Sequence, residues 1–218
     1  MIRLNDIIKG YKLRNVLDGL KLEIGEGESI AIQGRSGSGK TTLIKILTGL
    51  MTDYSGEYFF EEASFKSMSE KARTKFRREK IGIITQHFDL LEDQNVRSSV
   101  ALGISHLKLP RKEKLEEIKK VLSYVGLSGY EKKRVFDLSG GEKQRVAIAR
   151  ALIKKPKIVI ADEPTGALDE ETKEQILNLF KKMIEDGTQF IIVTHDNDVA
   201  EICEKTYNLK KGYLMQKF

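Results

Sequence analysis

Gly34-Arg35-Ser36-Gly37-Ser38-Gly39-Lys40-Thr41 fits the pattern G-x-x-x-x-G-K-[ST], a spacing suited to gripping a phosphate chain. Glycines let the backbone curl until successive N–H groups point at one anion, and a helix starting at the end of the loop adds its positive terminus. The segment from Gly34 to Thr42 is therefore the candidate nucleotide cradle. Within it Lys40 can reach the β- and γ-phosphates, and the Thr41 hydroxyl can coordinate Mg²⁺. Hydrolysis needs two more groups, a carboxylate for the metal and a base for the attacking water. Ile158-Val159-Ile160-Ala161 ends in Asp162-Glu163, which assigns Asp162 to the Mg²⁺ water shell and Glu163 to the water. His195 follows the apolar run Ile191-Ile192-Val193-Thr194; on its own, a histidine there reads as structural. Leu138-Ser139-Gly140-Gly141-Glu142 has the capping-box pattern, with Ser139 at the N-cap and Glu142 three residues on. Two glycines disfavour a first helical turn, but they bare amides on which a phosphate can close, so Ser139, Gly140 and Gly141 are candidate nucleotide contacts too.

Positioning these groups requires strands that end at one edge. Glu28-Ser29-Ile30-Ala31-Ile32-Gln33 reads as a strand leading into the glycine loop. Leu43, Ile46, Leu47 and Leu50, spaced i, i+3, i+4, i+7, predict one apolar face of a helix beginning near Lys40. Ile81 to Ile84, Ile158 to Ala161 and Phe190 to Val193 are apolar runs without polar alternation, as parallel strands covered on both faces require. Residues 142–155 read as a helix stopped by Pro156, and residues 170–186 as an amphipathic helix ending before Gly187. The alternation gives an α/β fold, whose ligands bind at the carboxyl edge of the sheet. Residues 111–126 read as helical as well, and no strand pattern lies between His87 and Asp137. Residues 88–137 are accordingly expected to be an inserted helical subdomain within a single domain spanning 1–218.

Composition bounds the rest. At 218 residues, 40% hydrophobic and 32% charged, the chain can build one packed core, which excludes wholesale disorder and a fibrous repeat. Its one cysteine, Cys203, cannot form an internal disulfide; it falls in a helix-like stretch and reads as a small buried hydrophobe. The aliphatic runs are about four residues long, whereas a membrane span needs roughly 20. Met1-Ile2-Arg3-Leu4-Asn5-Asp6 lacks the apolar region of a secretory signal, so a cytoplasmic location is expected. The net charge of +6 is spread among acids, as in Lys112-Glu113-Lys114-Leu115-Glu116-Glu117, and reads mainly as a solvated surface.

The glycine loop, Leu138-Ser139-Gly140-Gly141-Glu142-Lys143-Gln144-Arg145 and Asp162-Glu163-Pro164-Thr165-Gly166-Ala167-Leu168-Asp169 stand in an order that resembles the ATP-binding cassette (ABC) ATPases over nearly the whole chain. That resemblance implies a P-loop NTPase fold: a mainly parallel sheet flanked by helices, an N-terminal antiparallel β region and an inserted helical subdomain. It also implies ATP and Mg²⁺ as ligands and further site residues. Gln86 matches the glutamine that contacts the metal and the water, Asp169 the aspartate of the loop beyond the carboxylates, and His195 the histidine that contacts the γ-phosphate. Tyr11 matches the aromatic that stacks on adenine; a strand tyrosine fits the same position. Two copies would pair head to tail around two ATPs, so that the Ser139-Gly140-Gly141 amides serve the partner's nucleotide.

Arg35, Thr85 and Lys143 depart from the commoner family pattern, and none of them removes a catalytic group. The resemblance is nearest to the subgroup for lipoprotein release, macrolide export and antimicrobial peptide or bacteriocin export, partly through Gln94-Asn95-Val96-Arg97-Ser98-Ser99-Val100. It implies a separate integral membrane permease docked near Gln86 and the helical block, with the ATPase peripheral on the cytoplasmic face of the membrane. Peptide, bacteriocin or lipoprotein-like cargo is the favoured expectation. An ATP-driven regulator of a membrane partner of the cell-division type and the ATPase of a nutrient importer are the alternatives. Relatives that act on DNA or ribosomes carry long coiled coils or two cassettes, so no nucleic-acid partner is expected.

Overall fold

The computed structural model describes residues 1–11 and 14–217. From the N-terminus, β1 (Ile2–Tyr11) and β2 (Arg14–Ile24) pair antiparallel, and β3 (Ser29–Gln33) runs through the glycine loop into α1 (Lys40–Leu47). β4 (Ser55–Phe60) and the two-residue β5 (Ala63–Ser64) complete an antiparallel sheet of order β2-β1-β4-β5. Next come α2 (Glu70–Lys80), β6 (Ile81–Thr85), α3 (Val96–Ala101), α4 (Arg111–Tyr124) and α5 (Gly140–Leu152). β7 (Ile158–Asp162), α6 (Glu170–Glu185), β8 (Gln189–Thr194), α7 (Asn197–Glu201), β9 (Lys205–Lys210) and β10 (Tyr213–Lys217) close the chain.

The second sheet has the order β10-β9-β3-β8-β7-β6 and is parallel except at the β9 and β10 hairpin. Its central strands alternate between two cores, as the two-residue period of a strand demands. Ile30, Ile32, Ile158, Ile160, Ile191 and Val193 pack with Leu43, Ile46 and Leu47 of α1 and with Leu4 and Tyr58 of the first sheet. Val159, Ala161, Phe190 and Ile192 face the other way, against α5 and α6. The four apolar runs thus form adjacent parallel strands covered on both faces, and the antiparallel sheet at the N-terminus matches the fold that the family resemblance implies.

Between His87 and Asp137 the described residues form α3, α4, short turns and one isolated bridge, Asn95 to Arg134. Val96, Val100, Ile118 and Leu122 of this block share the hydrophobic cluster of Val159 and Phe190. Among the described residues no helix is long and apolar enough to cross a membrane.

Several boundaries differ from the sequence expectation. α1 stops at Leu47, Gly49 adopts φ +66°, and Leu50 leaves the apolar face to stand 61% exposed. α5 occupies 140–152 rather than 142–155: the Ser139 cap starts it earlier, and Lys155, at φ +51° before Pro156, lies outside it. α4 ends at Tyr124, before Gly126 at φ +76°, and α6 ends at Glu185, before Gly187 at φ +83°. Cys203 lies in a bend beyond α7, partly buried against the α5 and α6 core; burial pushes its thiol up to about 12.

Candidate functional site

The carboxyl edge of the parallel sheet opens into a cleft of about 1010 Å³. Register brings the chemistry there: Thr85 of β6 is level with Asp162, Asp162 with Val193, and Thr194 with Gln33, which precedes the glycine loop. Residues 34 to 42, Gln86, Asp162, Glu163 and His195 all line this one cleft.

Backbone crowding shapes the loop. A Cβ on Gly34 would meet Ser38 Oγ at 2.5 Å and the Leu209 carbonyl at 2.8 Å. Gly39 holds φ +109°, and a side chain there would strike Val16 Cγ1 at 2.9 Å. Because Gly39 is the N-cap of α1 and brings no capping side chain, the first-turn amides have no side-chain acceptor and are available to an anion. The Lys40 Nζ donates to the Gly34 carbonyl at 2.6 Å, spanning the loop it closes.

Asp162 and Glu163 leave β7 side by side. Burial raises the Asp162 carboxyl above its ordinary range and the Glu163 charge adds to this, while Lys40 opposes both. Glu163 sits at φ +45°, a conformation uncommon for a side-chain-bearing residue, and its N–H donates to the Val193 carbonyl at 2.8 Å. Its Oε2 accepts from Thr194 Oγ1 at 3.1 Å and from the His195 N–H at 3.3 Å, and it lies 2.9 Å from His195 Nδ1. The carboxylate is thereby aimed from two sides, and the histidine that follows β8 touches the carboxylate that follows β7.

Gln86 follows β6 directly. A Cβ on Gly166 would lie 2.9 Å from Gln86 Nε2, so glycine there lets the amide rest against the loop after Glu163. Phe88 and Asp89, at φ +62° and +49°, are held by Arg150, whose guanidinium donates to both carbonyls. Thr85 Oγ1 donates to Asp89 Oδ2 at 2.8 Å. The Thr41 hydroxyl, Asp162 carboxylate and Gln86 amide are hard oxygen donors around one cleft, a set that fits Mg²⁺ carried in on a triphosphate. Among the described residues no cluster of three His, Cys, Asp or Glu could hold a metal alone.

Other expected residues lie outside the cleft. Tyr11, 47% exposed at the end of β1, directs its hydroxyl to Met51 Sδ at 3.8 Å and carries Lys9 Nζ 4.9 Å from its ring centroid. Val16 of β2 lines the cleft instead. Ser139 and Glu142 form the complete capping box, with bonds of 3.2 and 2.8 Å. Gly140 is exposed and Gly141 is packed against Thr172. Asp169 caps α6 by accepting from the Thr172 N–H at 3.0 Å and its Oγ1 at 2.8 Å.

Two functional contacts were not expected. Buried Gln144 on α5 donates to the Pro164 carbonyl at 2.5 Å, tying the helix after Ser139 to the loop after Glu163. No spacing rule marks it. Thr194 orients Glu163, and its place at the polar end of an apolar strand was a readable signal.

Compared with known proteins, residues 17–166 match the family described as ABC transporter. The chain is 37% identical to the lipoprotein-releasing system ATP-binding protein LolD of Bacteroides fragilis, over 99% of this chain and all of that one. It is 36% identical to the macrolide export ATP-binding/permease protein MacB of Campylobacter jejuni, covering 99% of this chain but 34% of that longer protein. Its fold is similar to the dimeric structure of the cassette MJ0796, with a TM-score of 0.89, 36% identity and coverage of 100% and 98%. The same cassette, bound to ADP and Pi in a post-hydrolysis state, matches with the same TM-score at 35% identity.

Proposed function

This chain belongs to the ABC transporter family, and from that premise we propose that it is the ATPase of a membrane exporter, closing on a second copy of itself each time ATP binds. The chain is an ATPase of the cassette type, converting ATP and water to ADP and phosphate. The observation that carries the catalytic assignment is Glu163 and His195 lining the cleft beside the glycine loop, with buried Thr194 bonded to Glu163 behind them.

In this reading the free amides at the start of α1 and the Lys40 ammonium bind the β- and γ-phosphates. Thr41, Gln86 and Asp162 hold Mg²⁺, which when bound neutralises charge on the phosphate oxygens. Glu163, its Oε2 fixed by Thr194 and His195, takes the proton of the attacking water. Exposed Ser139 and Gly140, with Gly141 and Asp169, lie outside this cleft and complete the site of a second copy. A head-to-tail pair then holds two nucleotides, and loss of the γ-phosphate releases the clamp.

The membrane partner is a separate permease seated near Gln86 and the 88–137 helical block, with this subunit peripheral on the cytoplasmic face. Similarity to LolD and MacB supports lipoprotein-like, peptide or related amphipathic cargo moved outward. Glu163→Gln tests the core of the proposal. It keeps the shape of the side chain and removes the base, so turnover falls by about 10²-fold or more while ATP binding is retained. Turnover within threefold of wild type would reject the assignment.

A further inference from the structure

The loop that carries His195 is fastened at two points. From β3, Gln33 Nε2 donates to the Asp196 carbonyl at 3.3 Å and to Asn197 Oδ1 at 3.0 Å. From α6, the Lys173 ammonium lies 2.7 Å from Asp196 Oδ2 and 2.8 Å from Asp198 Oδ2, with Glu170 Oε2 at 3.5 Å. The first anchor joins the loop to the strand that feeds the phosphate cradle. The second joins it to the helix whose N-cap is Asp169.

We propose that Lys173 is a positioning residue for ATP hydrolysis: by clamping Asp196 and Asp198 it holds the His195 loop against the first turns of α6, so that His195 stays in register with Glu163. The inference rests on the role given to His195 above and extends it to a residue that never touches the nucleotide.

The chemistry argues against an incidental surface pair. Lys173 is on a side of α6 that faces the loop, and its side chain is 11% exposed. Its covered stem brings the ammonium to the partly buried Asp196 carboxylate and, at the open edge, to Asp198 and Glu170. Of these acids Asp196, 28% exposed, gains most from the ammonium, whereas Asp198 and Glu170 stand largely in solvent. Burial opposes ionisation of Asp196, yet the bond from Lys173 holds its carboxyl below the ordinary range.

The remaining bonds of the loop are local. Asp196 accepts from the Asp198 N–H at 2.9 Å, and its own N–H donates to Thr194 Oγ1 at 3.0 Å. Thr194 Oγ1 in turn donates to Glu163 Oε2. One connected path therefore runs from Lys173 through Asp196 and Thr194 to the catalytic carboxylate. The same stretch of α6 meets α5, where Thr172 packs on Gly141 and Gln175 accepts from Arg145 at 3.2 Å. Lys173 is thus the point at which the helix pair bearing the Ser139 and Asp169 termini grips the histidine loop.

Three variants test this: Lys173→Met, which keeps the stem and removes the charge; Lys173→Arg, which restores it; and Asp196→Asn, which weakens the clamp from the loop side. The assays are steady-state ATP hydrolysis, equilibrium binding of a fluorescent ATP analogue, and Tm. Displacing a catalytic group by about 1 Å costs up to 10²-fold, so Lys173→Met is expected to lower kcat by about 10- to 100-fold. KM and analogue affinity stay within threefold, and Lys173→Arg recovers most of the rate. Asp196→Asn shows the same split, and combining it with Lys173→Met adds little, because both cut one clamp.

Wild-type kcat in Lys173→Met, a loss expressed equally in KM, or multiplicative effects in the double variant would each overturn the proposal. If Lys173→Met does not fold, unchanged kcat in Asp196→Asn overturns it alone, and a lowered kcat with unchanged KM sustains it. His195→Ala runs in parallel. If that variant is inactive while Lys173→Met is normal, only the positioning role falls; if it keeps full turnover, the reading of His195 falls and the proposal with it.

Discussion

Replacing Gly141 with alanine separates two reasons for a glycine in the first turn of α5. One is exposure of an amide to a phosphate; the other is the helix packed behind it. A Cβ at this position would fall under 3.0 Å from Thr172 Cγ2, where carbon atoms normally keep about 3.5–4.0 Å apart. Thr172 cannot easily turn aside, because its Oγ1 and N–H both serve the Asp169 cap, worth about 1 kcal/mol. Overpacking by one methyl costs about 1–3 kcal/mol, and alanine returns about 1 kcal/mol over glycine inside a helix. Gly141→Ala should therefore destabilise by about 1 kcal/mol, a Tm drop of about 2–4 °C for a chain of this length. In a Thr172→Ser background the Cγ2 methyl is gone while the cap hydroxyl remains, and the sign reverses: Gly141→Ala becomes neutral or stabilising. Thermal denaturation of the four proteins of this cycle decides it. A Gly141→Ala protein as stable as wild type, or a loss of the same size in both backgrounds, refutes the packing argument. ATP-driven dimerisation of the double variant then isolates the amide: lost dimerisation at restored stability assigns the glycine to the second nucleotide as well.

Among the described residues Lys40 donates only to carbonyls of its own loop, so Lys40→Ala should leave the Tm without nucleotide nearly unchanged and abolish the rise in Tm that ATP produces in the wild type; a persisting rise would contradict the role of Lys40. Burial, and then the Arg150 charge, depress Lys154 to about 8, whereas the unfolded chain holds that proton up to about 10.5. The unfolded state therefore binds more protons between these values, and the contribution of Lys154 to stability is poorest below pH 8 and improves above it. The Tm of Lys154→Met relative to wild type should accordingly be higher at pH 7 than at pH 10, and a pH-independent difference would rule this out.

The strands were legible because burial on both faces removes polar alternation, as in Ile158 to Ala161 and Phe190 to Val193, which feed both cores. The glycine loop was legible because its spacing reflects backbone geometry, as the positive φ at Gly37 and Gly39 shows. Helix ends were less so. The spacing of Leu50 continues the apolar face of α1, but Gly49 turns the chain away and leaves Leu50 in solvent. The reach of Gln144 to Pro164 depends on how α5 lies over the β7 exit, which no local pattern encodes. Tyr11 ends β1 exposed, with Lys9 and Met51 beside its ring, a setting that the position of a tyrosine in the sequence does not reveal.

Gln144 and Thr172 bear on how a clamp between two copies could govern chemistry. Ser139, Gly140 and Asp169 are exposed and lie outside the cleft that the glycine loop lines. Behind them, Gln144 joins α5 to the Pro164 carbonyl, one residue past Glu163, and Thr172 wedges the start of α6 against Gly141. A phosphate drawn onto the Ser139 terminus would pull on a helix already bonded to the loop of its own catalytic carboxylate. In the proposed head-to-tail pair, each copy's grip on its neighbour's nucleotide would then be felt at its own Glu163, giving two sites a mechanical reason to act together without requiring any residue to reach both.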